Sequence, residues 1–194
     1  MIRDAQMPTH APTAGPSDEL APSSEYISAM GQHVASICVI TTTVGGARFG
    51  LTATAVSSVC ATPPRLLICV NKSGVSHEKI REAGHFCVNV LNEDQDRVAK
   101  AFAGMLGKTA DRFGSGEWTT LKTGSPVLAA AAANFDCRIA GAIDQFTHTI
   151  FLGDVLAVSC QLGHDSLLYG SRKFRQLRKT FSSLDANSGE TLHF

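Results

Sequence analysis

The chain has 194 residues, 44% of them apolar and 18% charged, with 17 basic residues balanced by 17 acidic ones. That length and composition predict one globular domain with a sizeable core. A balanced charge supplies no field to draw in nucleic acid or an anionic membrane, and no apolar run approaches the length of a membrane-spanning helix, so both partner classes are excluded.

Six cysteines (Cys38, Cys60, Cys69, Cys87, Cys137 and Cys160) are widely spaced and lie mostly in apolar runs. They read as reduced thiols packed as small hydrophobes in a cytoplasmic protein. The N-terminus has no secretory signal pattern. Residues 1–23, rich in Pro, Ala, Thr and Ser, read as a mobile tail. The ordered domain is expected over 24–180, with a C-terminal tail over 181–194.

Ser24 is placed to cap a short helix carrying Tyr26, Ile27 and Met30 on one face. Residues 36–42 read as a strand, Gly45-Gly46 as a turn and Arg48 to Val56 as the returning strand. Pro63-Pro64 interrupts pairing, and Arg65 to Val70 is a third, almost wholly apolar strand. Ser76 is the expected N-cap of a helix from His77 to Ala83, closed by Gly84. His85 to Leu91 alternates as a strand. Asn92 and Gln95 form a capping-box pattern for a helix ending near Phe102. Two long β candidates follow, Val127–Ala142 and Thr147–Cys160, the first carrying an alanine run that favours helix. The order predicts a mainly β fold, a β-barrel with peripheral helices. A doubly wound parallel sheet fits less well, because long β stretches adjoin in the second half and no G-x-G-x-x-G follows a strand.

Three segments carry candidate chemistry. The first is Thr52-Ala53-Thr54-Ala55-Val56-Ser57-Ser58, four hydroxyls among small residues; such neutral donors suit a phosphate or a flavin ring edge, and equally an ordinary β-edge. In the second, Asn71, Lys72, Ser73, Ser76 and His77 join a buried strand to a helix N-terminus, an anion site in form and also a plain capped loop. The third is His148, which reads as a structural strand residue or one that orients a substrate. Arg112-Phe113, Trp118 and Tyr169 stand as ring-stacking candidates or core residues. The seven histidines show no H-x-x-x-H or H-E-x-x-H spacing, so no metal site is expected. The absence of a G-x-S-x-G elbow argues against a serine hydrolase.

Taken in order, Thr54-Ala55-Val56-Ser57-Ser58 before Pro-Pro, Ile68-Cys69-Val70-Asn71, Phe86-Cys87-Val88-Asn89-Val90-Leu91, Gln95 to Phe102, Arg112-Phe113, Trp118, Gly124-Ser125-Pro126-Val127-Leu128, His148 to Val155 and Leu167-Leu168-Tyr169 resemble the short-chain flavin reductases that serve two-component flavin monooxygenases. The likeness covers residues 27 to about 177. It implies an FMN-binding split β-barrel, a homodimer, and hydride transfer from NADH or NADPH to FMN or FAD, with reduced flavin passing to a monooxygenase component. Carried over by position, Thr52 to Ser58 and Asn71 to His77 hold the flavin, His148 and Arg112-Phe113 lie near the nicotinamide, and Tyr169 lies near the cofactor. The family carries Gly-Asp before that histidine, whereas this chain has Phe146-Thr147, with Asp144 earlier. The alternatives are a split-barrel reductase that retains its flavin for another acceptor, and a non-enzymatic flavin- or haem-binding protein.

Overall fold

The computed structural model describes residues 20–107 and 110–177; most of the expected N-terminal tail and all of the expected C-terminal one lie outside these residues. Twelve strands and three helices follow in chain order: α1 (Ser23–Met30), β1 (Ala35–Ser36), β2 (Cys38–Val44), β3 (Ala47–Ala53), β4 (Val56–Ala61), β5 (Pro64–Asn71), α2 (Val75–Ala83), β6 (His85–Val90), α3 (Asp96–Phe102), β7 (Trp118–Thr120), β8 (Pro126–Leu128), β9 (Ala133–Gln145), β10 (His148–Cys160), β11 (Leu168–Gly170) and β12 (Lys173–Arg175). A 3-10 turn over Arg112–Ser115 precedes β7. No helix among the described residues is long and apolar enough to cross a membrane.

One antiparallel sheet in the order β3-β2-β6-β9-β10-β5-β4 dominates, and small sheets β1-β11-β12 and β7-β8 flank it. Its two edge strands, β3 and β4, are joined through Thr54 and Ala55 alone. Laid flat, six inter-strand gaps of about 4.8 Å would hold those edges about 29 Å apart. Three Cα steps from Ala53 to Val56 reach at most about 11 Å. The sheet must therefore curl until its edges meet, and a barrel with an unladdered seam is the result. This is the mainly β barrel expected; the parallel alternative is excluded by the antiparallel ladders.

Local chemistry explains most element ends. Gly45 and Gly46, at φ of 56° and 80°, close the β2–β3 hairpin, a geometry open to glycine. Gly84, at φ of 71°, ends α2 in the left-handed cap. The Gln95 side chain accepts from the Asn92 amide at 3.0 Å, one half of the expected capping box, but Asn92 is not the cap: α3 starts after Gln95, and the Asn92 carboxamide oxygen accepts from the Asp94 amide instead. Inside the barrel Ile40, Ile68, Val70, Phe86, Val88 and Phe151 form one core. A second, between barrel and α3, gathers Ile37, Val39, Leu91, Phe102 and Leu128.

Several expectations are corrected. The strand read as Arg48 to Val56 breaks at Thr54, because closing the barrel requires a crossover there. The strand read as 36–42 is interrupted at Ile37, whose amide and carbonyl instead bond Leu167 and Leu91. Residues 129–132 belong to no strand, with a turn at 129–130, and this splits the strand expected from Val127 into β8 and β9. Neither Ser24 nor Ser76 caps a helix: α1 starts after Pro22, and α2 after Gly74. Ser76 lies inside α2, its hydroxyl donating to the Gly50 carbonyl at 2.9 Å.

Candidate functional site

The seam and the end of β5 bring the sequence-predicted residues together. Because β4 runs antiparallel to β5, its first residue Val56 lies opposite Ile68, and the Cys69 amide donates to the Ala55 carbonyl at 3.0 Å. On the other flank of β5, His148 opens β10 directly opposite Asn71. Thr54, Ala55, Asn71 and His148 thus share one end of the barrel.

Behind the seam lies a cavity of about 190 Å³ whose walls include Thr52, Ala53, Thr54, Ala99, Ala103 and Tyr169. Thr52 contributes structure there: its hydroxyl donates to the Ala99 carbonyl at 2.7 Å and ties β3 to α3. Thr54 and Ala55 are exposed, outside any strand. Tyr169 reaches the cavity from β11, its ring edge-on to Phe174 with centroids 5.8 Å apart.

The second cluster forms a loop pinned from both sides. The Asn71 carboxamide oxygen accepts from the Ser73 amide at 2.9 Å, and the Lys72 amide donates to the Thr147 carbonyl at 2.9 Å. Asp144 anchors the neighbouring charges: its Oδ1 takes the Thr149 hydroxyl at 2.6 Å and Arg81 at 2.7 Å, with Lys72 Nζ 3.7 Å away. The Thr149 hydrogen bond, then Arg81 and Lys72, hold the Asp144 carboxyl below the usual carboxylate range. His77 is only 2% exposed, with Nε2 2.8 Å from Thr149 Oγ1 and Nδ1 2.9 Å from Glu78 Oε1. It buttresses Thr149 and offers no ring face to the rim. His148 is half-buried, with Nδ1 2.8 Å from the Thr147 hydroxyl.

The remaining candidates separate. Ser57 and Ser58 sit farther along β4, opposite Leu67 and Leu66, and line a distinct apolar groove of about 320 Å³ on the barrel wall. Arg112 is exposed and reaches the Gly50 carbonyl at 3.4 Å, the acceptor that Ser76 also uses. Phe113 packs edge-on against Phe102 and Trp118, with centroids 5.0 Å from each, so both aromatic candidates belong to a packed cluster. Sequence reading missed the cavity wall from α3; its one signal was the i, i+4 spacing of the small residues Ala99 and Ala103.

The donor set fits a flavin. Small residues leave room for a flat ring against Tyr169, and the exposed Thr54 and Ala55 offer a hydroxyl and backbone groups along one edge.

Comparison with known proteins agrees. The sequence model of the "Flavin reductase like domain" family matches residues 30–178. The chain is 38% identical over 167 residues to "FMN reductase (NADH) RutF 2" of Methylorubrum extorquens, covering 86% of this chain and 96% of that protein. Among solved structures, the NADH:FAD oxidoreductase SgcE6 of Streptomyces globisporus, in complex with NAD and FAD fragments, superposes with a TM-score of 0.76 at 28% identity, covering 84% of this chain and 99% of that one. BorF, the flavin reductase component of a bacterial two-component tryptophan halogenase, gives a TM-score of 0.74 at 29% identity over 82% of this chain and all of BorF. On its matched span, its barrel and its seam-side cavity, the chain belongs to the flavin reductase like family.

Proposed function

We propose that this protein is an NADH-dependent flavin reductase that reduces FMN and releases it for a separate monooxygenase component. The observation that carries this reading is the meeting of an exposed hydroxyl and amides (Thr54, Ala55), a small-residue cavity wall (Ala99, Ala103) and His148 at one end of the barrel. The relative named FMN reductase (NADH) supports FMN over FAD and NADH over NADPH, and the halogenase component supports a two-component setting.

Bound flavin supplies the redox chemistry, accepting a hydride from the nicotinamide. The protein's part is binding and orientation. Thr54 and the neighbouring amides hold the polar edge of the ring, and Asn71, Lys72 and Ser73 hold the phosphate side. His148, kept in place by Thr147, orients the nicotinamide. Thr52, Ser76 and His77 support these groups from behind, and Tyr169 closes the cavity. A catalytic acid or base is not required, since a hydride transfer needs alignment more than proton transfer.

The functional unit is a homodimer, with the apolar groove beside Val155 and Val158 as the face offered to a second copy. We take the functional domain as 24–180, of which the structure describes 24–107 and 110–177. Six free thiols support a reducing, cytoplasmic setting.

The test mixes purified protein with NADH or NADPH, with and without FMN or FAD, and follows the nicotinamide absorbance. Fast oxidation that requires added FMN and prefers NADH is expected. Silence under every combination refutes the reductase reading in favour of a flavin or haem binder. Flavin that fails to exchange during turnover refutes the supply role.

A further inference from the structure

The β9–β10 hairpin closes through two residues, Phe146 and Thr147, between the paired Gln145 and His148. Phe146 adopts φ of 42°. In a two-residue hairpin turn, a positive φ at that position is ordinarily left to glycine, asparagine or aspartate. For a bulky aromatic residue it is an outlier that persists only where the surroundings over-determine it. The surroundings here are fixed: the Thr147 carbonyl accepts from the Lys72 amide, the Thr147 hydroxyl meets His148 Nδ1, and Asp144 holds Thr149 and Arg81 just behind the turn. Yet the ring is 96% exposed and contributes nothing to closing the hairpin. An unfavourable backbone and a bare apolar ring coincide at one residue, two positions from His148, where glycine would avoid both.

We propose that Phe146 is a stacking platform for a heteroaromatic ring of the nicotinamide dinucleotide, presented at the mouth of the site by the hairpin tip. This rests on the reductase reading and adds a specificity-determining residue to it. The surrounding charge suits the same ligand: Lys72 and Arg81 share the single carboxylate of Asp144, and the exposed Glu78 carboxylate pairs with neither cation. Two cations over one carboxylate favour a phosphate close to the ring. Ring and phosphate together are the recognisable parts of a dinucleotide. The competing occupant is a second copy of the chain that buries Phe146.

The test compares wild type, Phe146→Gly and Phe146→Tyr as FMN-loaded protein, measuring dissociation constants for NAD+ and, separately, for FMN. Glycine suits the turn, so Phe146→Gly folds, with a melting temperature equal to or above that of wild type. Loss of a stacking partner raises its NAD+ dissociation constant about fivefold or more. FMN binding stays unchanged, and Phe146→Tyr retains wild-type affinity for NAD+. Unchanged NAD+ affinity in Phe146→Gly overturns the proposal, and does so equally if dimerisation weakens instead. If wild type binds neither FMN nor NAD+, the reductase reading itself falls and the platform with it.

Discussion

Gly50 is the point where three elements press on β3, and replacing it with alanine tests the packing behind the seam. A Cβ at Gly50 would lie 2.7 Å from Phe102 Cε1, 2.9 Å from its Cδ1 and 3.0 Å from the Ile40 carbonyl oxygen. Phe102 cannot swing away, since it is 3% exposed and clamped by Phe113 and Trp118. Overpacking of this kind costs about 1–3 kcal/mol. With about 2 kcal/mol lost, the melting temperature of a domain this size falls by about 4–8 °C. The strain enters α3, whose Ala99 lines the cavity together with Ala103 just past the helix end, so FMN affinity weakens as well. Gly141→Ala in β9 is the control: its Cβ would meet only Leu152 Cδ1, at an ordinary 3.7 Å. Relief of glycine's excess entropy makes that variant neutral or more stable by about 0.5–1 kcal/mol. Thermal melts and flavin titrations of both variants decide the matter. A Gly50→Ala protein as stable as Gly141→Ala would refute the packing argument.

Other expectations are simpler to check. His148→Ala slows flavin reduction about 10- to 100-fold while FMN affinity is retained, in keeping with the loss of an orienting contact; stopped-flow reduction beside an FMN titration measures both, and unchanged kinetics would remove His148 from the mechanism. Thr52→Val loses the bond to Ala99 and lowers stability by about 1 kcal/mol in urea denaturation. Burial holds the His85 pKa below its ordinary value, against the opposing pull of Asp136. The unfolded chain therefore binds the proton more readily, and stability falls as pH drops below about 6.5 toward the folded-state value. His85→Asn keeps a partner for Ser125 and flattens that slope in melts between pH 7 and pH 5; an unaltered slope assigns the effect to another group.

The parts of the fold written locally were legible in the sequence. Gly45-Gly46, Gly84 and the Asn92/Gln95 pair each act on neighbours within a few residues, and the chain order of apolar and turn residues reproduced β5, α2, β6, α3 and β10 closely. What escaped was long-range. Nothing in Thr54-Ala55 marks a break, because the demand for a crossover comes from the opposite edge of the sheet. Ser76 looks like a helix cap until Gly50, distant in the chain, supplies its acceptor. His77 and Phe113 have the chemistry of site residues, and only tertiary packing buries the one and clusters the other. The expected site residues consequently divided into a rim group around Thr54, Asn71 and His148, a supporting layer behind it, and Ser57-Ser58 on a separate face.

The two-residue crossover at Thr54-Ala55 also bears on how the protein behaves when no ligand is bound. β3 and β4 each present an outer edge with no ladder partner among the described strands. Such edges invite pairing with other chains, and soluble proteins must blunt them. Here the short link turns the two edges toward one another, so that neither faces bulk solvent as a long flat ribbon. A longer insertion at this point would release them. The link therefore acts as a safeguard against misassembly while its Thr54 lines the cavity behind the seam, and lengthening it should produce aggregates before it produces an inactive, folded reductase.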